Sequence, residues 1–235
     1  MSDTVSTTGK IAWWKTAIVI VGFPIVYMMY GSSELAHGLF RQGDRDFYIP
    51  FWGGIVVLHW LSVLAVALVL KASGRTFSDI GYKLSRKGTW MLVVIFLLVS
   101  LLALGITETV LSSADINAGS IGRLPGLIPI TFPQRVFFVL LVFSTGFCEE
   151  IVYRGFAITG LSDAGVNRWL GLFVAAFLFV GIHGVTAYSN RFLFLFGGGV
   201  MFGVLFLVTK NLLPSTIVHL IINLSAMLAI LQVLE

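Results

Sequence analysis

Two adjacent carboxylates, Glu149 and Glu150, sit with Arg154 at the end of a long apolar run, in the stretch 147–156. Ionised side chains at membrane depth are costly, so such a cluster is a candidate functional site by default. Its geometry follows from spacing. Glu150 and Arg154 are four apart and share a helix face, with the acid N-terminal to the base, the better order. Glu149 is rotated by about 100° from Glu150 on a helix. Arg154 is therefore expected to neutralise and anchor Glu150, leaving Glu149 to face something else.

Three further polar positions interrupt apolar runs: His183, and the pair His219 and Asn223, which are four apart on one helix face. Each needs a partner, because an unsatisfied polar group in hydrocarbon costs several kcal/mol. Taken singly, each has a plain structural explanation: a histidine bonded to a backbone carbonyl, an asparagine joining two helices. Two carboxylates, two histidines and an asparagine on three helices are better explained by one shared wet cavity. His37 falls in a polar loop, and His59, with no charged partner near it in sequence, is read as structural. The single cysteine, Cys148, excludes an intramolecular disulfide and is read as a small packed side chain. A carboxylate beside a histidine can activate water as a general base, and a second histidine and an asparagine can hydrogen-bond a developing oxyanion. The same donors, one glutamate with two histidines, would also suit Zn²⁺. No HExxH helix is present, and spacing alone leaves both chemistries open.

The elements that must position these groups are apolar throughout. Of 235 residues, 57% are hydrophobic and 11% charged, and the mean hydropathy is +0.97. A soluble domain carries about 25% charge. The expected fold is all-α, a polytopic transmembrane helical bundle forming one domain over 1–235. Apolar runs lie at about 16–30, 49–70, 90–111, from 134 to the glutamates, 169–185, 192–208 and 215–234. That makes about seven spans, or eight if the apolar stretch 124–130 inserts. The loop carrying Lys71, Arg75, Lys83, Arg86 and Lys87 against Asp79 alone is the strongest topological signal. It places that loop and the N-terminus in the cytoplasm, and the net charge of +4 is explained by basic loops rather than by nucleic acid. No two halves of the chain resemble each other, which argues against a small transporter using Glu149 as its titrating group. Gly199 and Gly203 form a small-xxx-small pair suited to close helix approach. For His183 to reach Glu149, the fourth helix must run past Phe156, with 161–167 as the turn.

Together, Glu-Glu-x-x-x-Arg at 149–154, Phe-x-x-x-His at 179–183 and His-x-x-x-Asn at 219–223 resemble the CPBP family. That family comprises CAAX prenyl endopeptidases and bacteriocin-processing or immunity (Abi-like) proteins. The resemblance covers 143–223 and implies an intramembrane endopeptidase. By it, Glu149 corresponds to the water-activating glutamate, His183 to its partner, and His219 and Asn223 to the oxyanion-stabilising residues. Glu150 and Arg154 correspond to the supporting pair. It implies a glutamate-dependent protease requiring no cofactor. The alternative is a divalent metal, zinc, on Glu149, His183 and His219. The implied partners are a peptide or lipid-anchored protein substrate and membrane lipid. The implied location is a prokaryotic plasma membrane. A non-catalytic immunity or partner protein, binding a peptide in the same cavity, is the second functional expectation.

Overall fold

The structure, a computed structural model, describes residues 9–83 and 129–232, isolated positions 94, 98 and 126, and side chains as far as 225. The third apolar run, most of the stretch 124–130, and Arg86, Lys87 and Arg123 lie outside the described residues. Every regular element among the described residues is helical. The main helices are α1 (Trp13–Tyr30), α2 (Tyr48–Ala72), α3 (Phe132–Glu149), α4 (Ala157–Asp163), α5 (Arg168–Gly181), α6 (Phe192–Thr209) and α7 (Leu212–Gln232). A π-helical segment, Glu150–Phe156, joins α3 to α4 without a break. The continuous stretch Phe132–Asp163 is 32 residues long, more than the roughly 20 needed to cross a bilayer. Trp13–Tyr30, Arg45–Ala72 and Phe192–Thr209 are also long and apolar enough to span, while α5 and Leu212–Ser225 are shorter apolar helices. The expected all-α bundle is thus observed. The fourth helix does run past Phe156, and the turn falls just before Arg168.

Local sequence explains the element ends. Thr131 caps α3 by accepting from the Gln134 N–H at 3.4 Å, and the Gln134 side chain accepts in return from the Thr131 N–H at 3.2 Å. Pro133 sits in the first turn, where a missing N–H costs nothing. Asn167 opens α5 by accepting from the Trp169 N–H at 2.9 Å. Lys210, at φ 52°, turns the chain from α6 into α7.

α3 packs between α2 and α7, and α5 lies against α6, α4 and α1. The small pair on α6 is spent on that packing: a Cβ on Gly199 would lie 3.1 Å from the Ala176 Cβ, and one on Gly203 2.8 Å from the Leu172 Cγ. Two tethers order one end of the bundle. Asp163 at the end of α4 pairs with Arg75 at 2.9 Å and accepts from the Ile11 N–H at 3.0 Å. The Gly81 carbonyl accepts from the Leu212 N–H at 2.9 Å. The connections 31–47 and 182–191 therefore lie at the opposite end.

Candidate active site

Glu149 is the last residue of α3 and Glu150 the first of the π-helical segment, deep in the continuous helix and both buried. A π-turn widens the helix locally and is frequent at functional sites. Here it begins at Glu150, whose carboxylate is already rotated by about 100° from that of Glu149 by helix geometry. Glu150 Oε1 lies 3.3 Å from Arg154 Nη1 and 3.0 Å from His219 Nδ1. Arg154 is one of the largest fully buried side chains, its guanidinium stacked 4.4 Å over Phe179 and 5.3 Å from Phe202. The pair is an ion pair by distance rather than a directed hydrogen bond. Both terminal nitrogens of Arg154 and the Glu150 Oε2 lack a hydrogen-bond partner among the described residues. The expected anchoring of Glu150 by Arg154 is observed.

Glu149 faces α2. Its Oε1 lies 3.0 Å from His59 Nε2, and its Oε2 lies 3.6 Å from His219 Nε2. His59 was expected to be structural, without a charged partner; the structure corrects this. Its partner is 90 positions away in sequence, which spacing within one run cannot reveal. The signal that could have found it is the one applied to the other histidines: an imidazole at membrane depth must be satisfied. His59 Nδ1 lies 2.8 Å from the Ile55 carbonyl, which only accepts, so Nδ1 carries a hydrogen. Glu149 and His59 are in hydrogen-bond contact, and His219 bridges the two carboxylates, one with each ring nitrogen.

His183 was expected within the fifth helix. It falls just past the end of α5, in a turn that the positive φ of Gly184 (93°) completes. Its Nδ1 lies 3.3 Å from the Phe179 carbonyl. His183 makes no hydrogen bond to Glu149, but the two residues line one cavity of about 660 Å³, together with His59 and Thr145. Asn223 lies behind this wall and donates to the Thr145 hydroxyl at 3.4 Å. His219 and Asn223 are not among the lining residues. The structure therefore brings Glu149, Glu150, Arg154, His59 and His219 into direct contact, sets His183 on the same cavity without a hydrogen bond to Glu149, and holds Asn223 one residue back.

This arrangement can do acid–base chemistry on a molecule in the cavity: a carboxylate open to it on one side and held from behind by imidazoles. The fit to a metal is poorer. Glu149 is already engaged by His59, His219 Nδ1 by Glu150, and His183 does not meet them. Among the described residues, no three His, Cys, Asp or Glu side chains are grouped to hold a metal ion.

Comparison with known protein families matches residues 131–225 to the family described as Type II CAAX prenyl endopeptidase Rce1-like. The resemblance carried by the three motifs is thus shown for the segment that contains them. No curated protein and no solved structure matches the chain. The matched segment holds Glu149, Glu150, Arg154, His183, His219 and Asn223, whereas His59 lies outside it.

Proposed function

We propose that this integral membrane protein is an intramembrane endopeptidase, and that it hydrolyses a peptide bond of a membrane-associated substrate. The observation that carries the reading is Glu149: a buried carboxylate at mid-helix, open to a cavity large enough for a short peptide and held by His59 and His219. A water beside Glu149 attacks the substrate carbonyl carbon, and its proton passes to the carboxylate. The tetrahedral oxyanion collapses, the C–N bond breaks, and a proton from the Glu149–His59 pair goes to the leaving amine. The products are a carboxyl terminus and an amine, and the pair returns to its starting state. His183, which lines the same cavity, orients the water or the carbonyl. His219 keeps the two carboxylates in place, and Asn223 acts through Thr145, the residue that reaches the cavity. This differs from the oxyanion role that the resemblance implies for His219 and Asn223. The match to CAAX-type endopeptidases supports a lipid-anchored peptide as substrate.

The test is cleavage of membrane-inserted peptides by purified, reconstituted protein. Glu149→Gln and His183→Ala should each lower the rate by about 10²–10⁴, the usual contribution of a general base or its partner. A metal chelator should leave the rate unchanged. Both variants cleaving at the wild-type rate would remove the mechanism. Undiminished peptide binding without cleavage by the wild type would leave the immunity or partner reading.

A further inference from the structure

As water attacks, the scissile carbonyl oxygen becomes an oxyanion, and a hydrogen aimed at it from the cavity wall stabilises it. Most polar groups of that wall are already spent. His59 is engaged at both ring nitrogens. The Thr145 hydroxyl donates to the Val142 carbonyl at 3.0 Å, and the Trp52 indole donates to the Gly126 carbonyl at 2.8 Å. Ser32 donates to the Met28 carbonyl at 3.1 Å. His183 gives its Nδ1 hydrogen to the Phe179 carbonyl, so in the neutral ring Nε2 is an acceptor, fit to hold water. Tyr27 lines the same cavity and is only 4% exposed, yet its hydroxyl makes no hydrogen bond among the described residues. Nor is that hydroxyl sealed in, as those of Tyr48 and Tyr153 are.

Packing fixes where this tyrosine stands. α1 lies against α2, α4, α5 and the π-helical segment. The Tyr27 ring meets the His59 ring edge-on, with centroids 5.2 Å apart, and His59 in turn holds the Glu149 carboxylate. Tyr27 is also near enough to Glu149 to interact with its charge. Its neighbours Pro24 and Met28 close on Gly181, two residues before His183. A Cβ on that glycine would lie 3.2 Å from the Pro24 Cβ and 2.9 Å from the Met28 Cε. α1 therefore holds Tyr27 between the residue that supports Glu149 and the turn that carries His183. Resting on the peptidase reading, we propose that Tyr27 is a catalytic residue, whose O–H donates a hydrogen bond to the scissile carbonyl oxygen as that oxygen becomes an oxyanion. The phenol keeps its proton throughout, and the proton of the attacking water goes to Glu149. A phenol is more acidic than an aliphatic hydroxyl, and a buried setting strengthens the bond it makes. The role falls to α1 because His219 and Asn223 stand off the cavity lining. Tyr27 lies outside residues 131–225, so the family match does not assign it.

Tyr27→Phe removes the hydroxyl and keeps the ring against His59. The probe is a quenched-fluorescent peptide with a prenylated cysteine near its C-terminus, cleaved by full-length protein in proteoliposomes. Tyr27→Phe should lower kcat by about 10²–10³, the usual loss for one oxyanion donor, with KM and the thermal unfolding midpoint unchanged. A second variant carries difluorotyrosine in place of Tyr27, which keeps the shape but ionises at lower pH. A phenolate cannot donate, so the alkaline fall of kcat should move to lower pH, an effect that a packing role would not produce. Cleavage that depends on Glu149 but runs at the wild-type rate in Tyr27→Phe would overturn the assignment and leave the peptidase reading standing. So would a lower rate accompanied by an equal loss of substrate affinity or by a lower unfolding midpoint, with the difluorotyrosine pH profile unmoved; Tyr27 would then be a packing residue. Wild-type protein that cleaves no faster than Glu149→Gln would remove the peptidase reading, and the assignment with it.

Discussion

At the scale of single residues, Glu149 and Glu150 differ in what surrounds them, not in chemistry. Glu150 is enclosed by Arg154 and His219 and never reaches the cavity wall, so it acts as a fixed charge that holds other groups. Breaking a buried pair of that kind costs more than the pair contributes, because the remaining charge has no solvent. Glu149 keeps one side open, and its other side depends on His59. In the proposed mechanism His59 is thus a positioning residue for that carboxylate. His59→Ala should lower kcat by at least tenfold with KM little changed. His59→Gln, which keeps a donor toward Glu149 but cannot shuttle a proton, should recover the fold and substrate binding without recovering the wild-type pH profile of kcat. A His59→Gln enzyme with unchanged kcat and pH profile would reduce His59 to packing.

At the scale of elements, the π-helical segment Glu150–Phe156 carries the buried pair Glu150 and Arg154. It continues the helix beyond Glu149 and buries all seven of its residues, Glu150 and Arg154 among them. Gly155 marks how closely it is enclosed. A Cβ there would lie 2.9 Å from the Ile80 carbonyl oxygen and 2.7 Å from the Leu212 Cδ1. The leucine could shift, but the backbone oxygen is held in a turn whose next carbonyl, Gly81, already bonds Leu212. Gly155→Ala should therefore destabilise the protein by about 1–3 kcal/mol, in the range of overpacked cores. It should also displace α7 and with it His219. Thermal unfolding in detergent measures the first effect, and a lower rate at unchanged expression the second. Wild-type stability in this variant would mean that the turn is looser than its contacts indicate.

At the scale of the whole molecule, the cavity-lining connections 31–47 and 182–191 and the described part of the basic loop, 71–83, occupy opposite ends of the bundle. If the positive-inside rule sets the orientation, the N-terminus and the 73–83 turn are cytoplasmic and the cavity opens to the other side. Cys148 is buried, so a single engineered cysteine reports without background. Ser33→Cys, at the mouth, should react with a membrane-impermeant maleimide in intact cells. Ser78→Cys, in the turn before Gly81, should react only after the membrane is opened. The reverse pattern would invert the topology and place the substrate in the cytoplasm.

The sequence by itself determined the class of fold and singled out the polar groups at Glu149, Glu150, Arg154, His183, His219 and Asn223, but not His59. Apolar runs with few charges allow only helices in a bilayer, and a charge or imidazole within such a run stands out because hydrocarbon cannot satisfy it. For the same reason Glu150–Arg154 was legible: a pair within one helix is fixed by spacing. The extension of the fourth helix past Phe156 was legible too, since depth along a helix is simple arithmetic. What only the tertiary structure decided was every contact between helices. His59 meets Glu149 because α2 packs on α3, and no periodicity within either segment encodes that pairing. The same holds for His219 bridging both glutamates, for Asn223 held behind Thr145, and for Gly199 and Gly203 serving α5 rather than a second copy. Local pattern fixes which side of a helix turns inward, while the choice of neighbour depends on how all the helices fill space at once.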